Sequence, residues 1–303
     1  MKTLAAIGRN SLDTYYDSQN SVLAGEKVIT TYRGTYYGGM IANFAAVLAS
    51  LGIQVTLYDT LGMDDEAQGI VHDLQRFGVD VSRIQFDREA SLPRTHIILP
   101  SCSPGIGSTI IVPRNDEQIY RFTDEELRYL RRAHIIYTTI CNIRTIDTVQ
   151  LHTFAREHGQ YLVLDVENSS FTDRDTDREI FDAAHIIFFN QLGFEKYAEG
   201  RPADEIIPPL LNRPGKMVVV TRGKDGGTVY HEGGTLTFPG ISVDYVDTTG
   251  AGDTFNALFI WRWLEGDPVE RIVAFANYGA ALSTTRIGPR SILELSPDWG
   301  SLS

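Results

Sequence analysis

Six short runs of almost unbroken apolar residues punctuate this chain, at positions 4–8, 55–59, 135–139, 161–165, 185–190 and 217–221. A strand that is apolar on both faces has to be covered on both, so such runs belong inside a sheet sandwiched between helices. The stretches between them supply those helices, near 40–51, 65–77, 123–131, 145–158 and 203–211. The alternation predicts an α/β fold, Rossmann-like, with a mainly parallel central sheet and helices on both faces. Run after run ends on a polar residue, among them Asp59, Asp165, Asn190 and Thr221. Ligands of open α/β sheets bind at the C-terminal strand edge, which makes these tips site candidates. Taken singly, each is more often just a turn former.

Two stretches break the alternation. Residues 27–37, rich in Thr and Tyr, read as a strand with no following crossover. Residues 94–99, 108–112 and 118–122 read as three more strands, too closely spaced for helices between them. Together they predict a small β-lid over the strand ends; an extension of the main sheet is the plainer alternative. The cluster Tyr15, Tyr16, Tyr32, Tyr36 and Tyr37 either forms a stacking surface or packs the lid, and packing is the simpler expectation. Without a repeat, a low-complexity segment or a linker, residues 1–303 read as a single domain with lid strands inserted at about 15–37 and 94–122.

Charge and composition narrow the partners. The chain carries 39 acidic against 27 basic residues, a net charge of −12, which argues against a nucleic-acid surface. A nucleotide is still compatible, because backbone N–H groups and a few local cations hold phosphates on an otherwise acidic protein. No apolar run reaches the ~18–20 residues that cross a bilayer. The opening Met1-Lys2-Thr3-Leu4-Ala5-Ala6-Ile7-Gly8 reads as a buried strand rather than a signal peptide, so a cytoplasmic location is expected. Cys102 and Cys141 lie far apart with no metal-ligand spacing, and two reduced thiols are the expected state. The seven histidines are scattered, with no pair spaced for zinc.

One segment carries chemistry. Asp247-Thr248-Thr249-Gly250-Ala251-Gly252-Asp253-Thr254-Phe255-Asn256-Ala257 follows a strand-like stretch at 241–246 and opens an apolar run to Leu264 that must be a buried helix. Gly250 and Gly252 let backbone approach a ligand closely, and a helix start presents free N–H groups and the positive end of its dipole. That combination stabilises negative charge developing in a transition state, while Asp253 in the first turn could accept a hydroxyl proton. The same pattern also describes a glycine-rich turn in which Asp simply caps the helix. Neither a Walker A sequence nor an intact G-x-G-x-x-G occurs anywhere, which leaves an NAD-binding reading without support.

The segment 247–253 resembles the C-terminal signature of the ribokinase-like (PfkB) carbohydrate kinase family. Supporting likenesses run along nearly the whole chain: Gly8-Arg9-Asn10-Ser11-Leu12-Asp13, Gly38-Gly39-Met40-Ile41-Ala42-Asn43, Leu61-Gly62-Met63-Asp64, and Val220-Thr221-Arg222-Gly223-Lys224-Asp225-Gly226-Gly227. The opening, Met1 to Asp13, is also similar to that of fructoselysine kinase-like members. The resemblance implies Mg-ATP as donor and an alcohol, a sugar or modified sugar, as acceptor. Asp253 is then the implied base, with Gly250, Ala251 and Gly252 as the anion hole. Asp13, Gly39 and Asn43 would hold the acceptor. Thr221, Gly223 and Gly226 would line the nucleotide phosphates and Asn277 the adenine side. Some relatives bind a monovalent cation such as K+, for which Asp247 and Thr249, with backbone near Gly288, are the implied ligands. A homodimer through the lid is a further expectation.

Two departures stand out. Many members carry Asn-x-x-Glu after the strand at 185–189, the Glu organising magnesium waters; here Asn190-Gln191-Leu192-Gly193 puts glycine in that place. Tyr120-Arg121-Phe122-Thr123 also replaces the Gly-Ala step that usually follows the last lid strand. A nucleoside kinase of the same family is the alternative enzyme. A non-catalytic sugar- or nucleotide-binding regulator on the same scaffold is the alternative from another class, with Gly193 as its best support.

Overall fold

The structure, a computed structural model, describes residues 2–19, 27–100, 108–113, 120–144, 146, 149–295 and 299. Its strands are β1 (Thr3–Ile7), β2 (Ser11–Ser18), β3 (Thr30–Gly38), β4 (Gln54–Leu61), β5 (Asp80–Phe86), β6 (Arg94–Pro100), β7 (Thr109–Ile111), β8 (Ile135–Thr139), β9 (Tyr161–Val166), β10 (Ile186–Asn190), β11 (Met217–Thr221), β12 (Gly227–His231) and β13 (Gly234–Phe238). The helices are α1 (Met40–Ser50), α2 (Asp65–Arg76), α3 (Asp124–Leu130), α4 (Ile140–Arg144), α5 (Leu151–Glu157), α6 (Arg178–Ala183), α7 (Gln191–Ala198), α8 (Ala203–Leu210), α9 (Ala251–Glu265), α10 (Val269–Ser283) and α11 (Ser291–Leu295).

The six apolar runs are all strands of one nine-stranded sheet, in the order β13-β12-β11-β10-β9-β8-β1-β4-β5. From β5 to β11 neighbouring strands pair in parallel, and the antiparallel hairpin β12–β13 finishes the far edge. The period-2 alternation of a strand explains why the runs are apolar throughout. Leu4, Ala6, Phe188 and Val219 face one core, built with α1, α2, α9 and α10. Ala5, Ile7, Ile187, Phe189, Val218 and Val220 face the other, built with α3 and α5 to α8. Helix starts are specified locally. The Asp64 carboxylate accepts from the Ala67 amide at 2.8 Å ahead of α2. Thr123 and Glu126 form a reciprocal capping box at α3.

A second sheet, β3-β2-β6-β7, stands apart from the first. Its tyrosines pack: Tyr15 meets Tyr36 edge-on at 5.2 Å and Tyr16 meets Tyr32 at 6.2 Å. Two expectations need correction. Within the expected strand 118–122, the described residues 120–122 add no strand to this sheet. Tyr120 makes an isolated bridge to Ile146 and joins Phe122 against Tyr58 in the large-sheet core, because these aromatics gain more from that core than from an exposed edge; residues 114–119 lie outside the described residues. The stretch 241–246 is no strand, since it has no pairing partner and runs as loop from β13 towards α9. Asp13, which closes the likeness at 8–13, lies inside β2. Cys102 lies outside the described residues. Among those residues no helix is long and apolar enough to cross a membrane.

The large sheet is tied to α9 by aromatic packing. Phe188 of β10 meets Phe259 of α9 edge-to-face, with centroids 5.3 Å apart and both side chains fully buried. Phe188→Ala should lower the unfolding free energy by about 3–5 kcal/mol, measured by urea denaturation, because a buried aromatic leaves a cavity that its neighbours refill only in part. A loss below about 1 kcal/mol would show that α9 is not anchored there.

Candidate active site

Helix α9 begins with Gly250, whose φ of 77° is the left-handed conformation that glycine adopts without strain. A Cβ at that position would stand 2.1 Å from the Pro289 carbonyl oxygen, so the turn is pressed against the loop before α11. No side chain caps the helix start. The Ala251 amide donates to the Thr248 carbonyl at 3.3 Å, while the amides of Gly252 and Asp253 lack the partners that helix interiors provide. Asp253, third residue of the helix, is 7% exposed. Its Oδ2 accepts from Asn43 Nδ2 of α1 at 2.8 Å. Asn43 Oδ1 in turn accepts from Arg290 Nε at 3.0 Å, and Arg290 is ion-paired with Asp73 of α2.

Carboxylates converge on this point. Burial, and then the nearby Asp165, push the Asp253 carboxyl well above its ordinary value; the Asn43 hydrogen bond acts the other way. Asp165, at the C-terminal end of β9, is itself pushed up to about 7 by burial and by Glu167. Asp165 Oδ2 accepts from the Tyr137 hydroxyl at 3.1 Å and from Asn256 Nδ2 at 3.2 Å, and Asn256 sits one turn beyond Asp253 on α9. Such perturbed acids at the strand ends of an α/β sheet make this end of the sheet the candidate site.

Asp13, Gly39 and Asn43 do come together. Gly39 caps α1, and the Asp13 carboxylate is packed so tightly on Gly38 that a Cβ there would lie 2.0 Å from its oxygen. The Ser11 hydroxyl donates to Asp13 at 2.8 Å, and burial pushes Asp13 above the usual carboxylate range. On the other side, Thr221 ends β11, Gly223 starts a short 3-10 turn, and Gly226 follows that turn within van der Waals reach of the Phe238 carbonyl. Asn277 of α10 donates to the Pro239 carbonyl at 2.9 Å, so all four candidates for the nucleotide side gather around the β11–β12 turn and the end of β13. Asp247 and Thr249 bind each other. Asp247 Oδ1 accepts from the Thr249 amide at 3.0 Å and hydroxyl at 2.7 Å, while its Oδ2 accepts from the Gly288 amide at 2.9 Å.

Gly193 has a packing reason. Its amide caps onto Asn190 Oδ1 at 2.7 Å, and a Cβ would stand 2.4 Å from the Val166 carbonyl oxygen and 3.2 Å from the backbone of Glu167. The chain leaving β9 fills the volume a side chain at 193 would need. Glu167, buried enough to be pushed above its usual value, places its carboxylate near both Asp165 and Asp253. Among the described residues no three acidic, His or Cys side chains converge tightly enough to hold a bare metal ion. Sequence reasoning missed Arg290, Asp73, Tyr137, Asn256 and Glu167. Only Asp165, as a polar strand tip, had a visible signal.

A nine-stranded α/β sheet with a smaller sheet beside it, and a glycine turn opening a helix at the strand ends, make up the frame of this site. The model for the pfkB family carbohydrate kinases matches residues 1–295, and the chain belongs to that family. It is 30% identical over 256 residues to an ATP-dependent ribose-1-phosphate kinase of Halopiger xanaduensis, covering 84% of this chain and 82% of the relative. To the ribokinase of Bacillus subtilis it is 28% identical over 290 residues, covering 95% and 94%. Its fold is similar to that of a putative ribokinase II from E. coli solved with ATP and Mg2+, with a TM-score of 0.78 at 19% identity over 97% of both chains.

The buried Asp165 sets a pH dependence. Its folded value, about 7, lies above its ordinary 3.8, so the folded state binds the extra proton and stability contributed by this site falls as pH rises from about 4 to about 7. Asp165→Asn keeps an acceptor oxygen for Tyr137 and Asn256 but carries no charge. Its melting temperature should gain on the native chain more at pH 8 than at pH 5. An equal or smaller gain at pH 8 would show that Asp165 is not held protonated by the fold.

Proposed function

We propose that this kinase moves the γ-phosphoryl group of ATP directly onto a hydroxyl of a sugar or modified sugar, with Asp253 as the base. The observation that carries the reading is the placement of one buried carboxylate in the first turn of an uncapped helix, with Asp13 and Asn43 beside it. The acceptor oxygen attacks the γ-phosphorus as its proton passes to Asp253, and the bond to the β,γ-bridging oxygen breaks to release ADP. Amides at Gly250, Ala251 and Gly252 face the charge that builds on the moving group. Asp13, Gly39 and Asn43 hold the acceptor; Thr221, Gly223, Gly226 and Asn277 hold the nucleotide. Magnesium, if bound with ATP, would supply charge neutralisation at the phosphates, a role that requires few protein ligands. Glu167, an oxygen donor beside Gly193, takes the water-organising role that residue 193 cannot. This packing reason for Gly193 also removes the main support for a non-catalytic regulator.

The β3-β2-β6-β7 sheet acts as the lid, and the whole chain works as one domain. Exposed Tyr32, Ile110 and Ile111 on that sheet, with Val112 just beyond β7, support pairing of two copies through it. The Asp247–Thr249 hydrogen bonds support a role in bracing the glycine turn, so a potassium ion at this turn would draw on backbone carbonyls near Gly288 as much as on these side chains.

An ADP-release screen across sugars, amino sugars, sugar acids, sugar phosphates and nucleosides identifies the acceptor class; preference for a nucleoside would move the reading to the nucleoside branch. On the best acceptor, Asp253→Asn should lower turnover by ~10²–10⁴-fold with ATP binding retained. Near-normal turnover of the folded variant would remove Asp253 as base. Glu167→Gln should raise the Mg2+ concentration needed for half-maximal rate and weaken Mn2+ binding to the ATP complex, read by electron paramagnetic resonance. Unchanged Mn2+ binding would show that Glu167 does not face the metal.

A further inference from the structure

Arg290 is the largest charged side chain buried in this region, 7% exposed, and it lies in a loop 37 residues beyond Asp253. Three of its nitrogens are used. Nε donates to Asn43 Oδ1 at 3.0 Å, one terminal nitrogen pairs with Asp73, and the other donates to the Gly38 carbonyl at 3.4 Å. A guanidinium can only donate, so the atom of Asn43 facing Nε must be the oxygen, and the amide NH2 is thereby turned onto Asp253. The orientation of Asn43 is thus dictated from its far side.

From this geometry we infer that Arg290 is a positioning residue for phosphoryl transfer: it locks Asn43 so that one oxygen of Asp253 is always occupied and the other is left for the acceptor hydroxyl. The inference rests on the reading of Asp253 as base. Among the described residues Asp253 Oδ1 has no hydrogen-bond partner, whereas Oδ2 is taken by Asn43. A carboxylate free to rotate would present either oxygen; one pinned through Asn43 presents a single oxygen in a fixed direction. The same contacts reach the acceptor side, because Arg290 also holds Gly38, on which Asp13 is packed. Asp73, largely buried on α2, balances the charge of Arg290 and keeps it from swinging into the site.

The groups that face Asp253 are Asp13 from β2, Asn43 from α1, Tyr137 from β8, Asp165 and Glu167 from β9 and its exit, and Arg290. The acids all disfavour ionisation of Asp253; the Asn43 amide and the Arg290 charge favour it. Removing Arg290 should therefore make Asp253 harder to ionise as well as less well aimed.

The test compares Arg290→Met, Arg290→Lys and Asp253→Asn with the native full-length chain. The titration of the Asp253 carboxyl is followed by NMR of protein labelled at aspartate carboxyl carbons, its signal assigned by its loss in Asp253→Asn. In Arg290→Met the midpoint should move to higher pH. On the best acceptor from the ADP-release screen, kcat should fall by about tenfold to a hundredfold while the KM for ATP stays near native. Arg290→Lys should recover part of the rate, since one ammonium reaches Asn43 or Asp73 but cannot hold both in a planar fork. An unmoved titration, or a rate loss without it, would overturn the role of Arg290 and leave the base intact; full turnover in Asp253→Asn would instead overturn the base. If Arg290→Met does not fold, Asn43→Ala takes its place, and an unmoved Asp253 midpoint there overturns the inference equally.

Discussion

Water has almost no access to the carboxylate of Asp253, and much of the architecture follows from keeping it that way without leaving it unpaired. An isolated ionised carboxylate in such surroundings would simply take up a proton. Here it is held by an amide on α1, by the open start of α9 and by an arginine beyond the amide, while Asp165 and Glu167 press in from the strand ends. These opposed influences leave an acid that takes a proton far more readily than one in water, which is the property a proton acceptor needs. The position of Asp253 depends on one backbone feature, the left-handed Gly250 seated against Pro289.

The sheet supplies the frame for this arrangement. Seven parallel strands bring their C-terminal ends to one edge, and the loops there deliver Asp165, Asn190 and Thr221 to a common line. Helices α1 and α9 pack on the same face of the sheet, so Asn43 and Asp253, which are 210 residues apart, meet at 2.8 Å. Their stacking on the strands includes Phe44 of α1 lying flat on Tyr137 of β8, at 3.5 Å between centroids. Tyr137 then carries its hydroxyl to Asp165, which links core packing to the polar network directly.

Much of this was legible before any coordinates. Continuous apolar runs revealed the parallel strands because burial on both faces leaves no polar positions, and the glycines around Asp253 revealed the helix start. Other strands escaped: β5 and β13 carry exposed residues and lack the apolar run, and β12, although buried, has only a short apolar stretch behind its glycine. Tyr120 and Phe122 have strand-like composition yet serve the large core, a tertiary choice that local pattern does not encode. Arg290 was illegible for a similar reason: an arginine after Gly-Pro reads as a surface residue, and only the fold shows that Asp73 and Asn43 enclose it. Gly193 read as a departure from the family pattern and as support for the regulator alternative; in the fold it is the residue that lets the end of β9 and Glu167 approach.

The central claim is a single direct transfer, with Asp253 taking the proton and no covalent phosphoenzyme between donor and acceptor. Stereochemistry at phosphorus tests it most directly. With ATP made chiral at the γ-phosphorus by oxygen isotopes and sulfur, the phosphorylated product should show inversion of configuration. Retention would require two successive displacements through a protein nucleophile, and would contradict this account of the site.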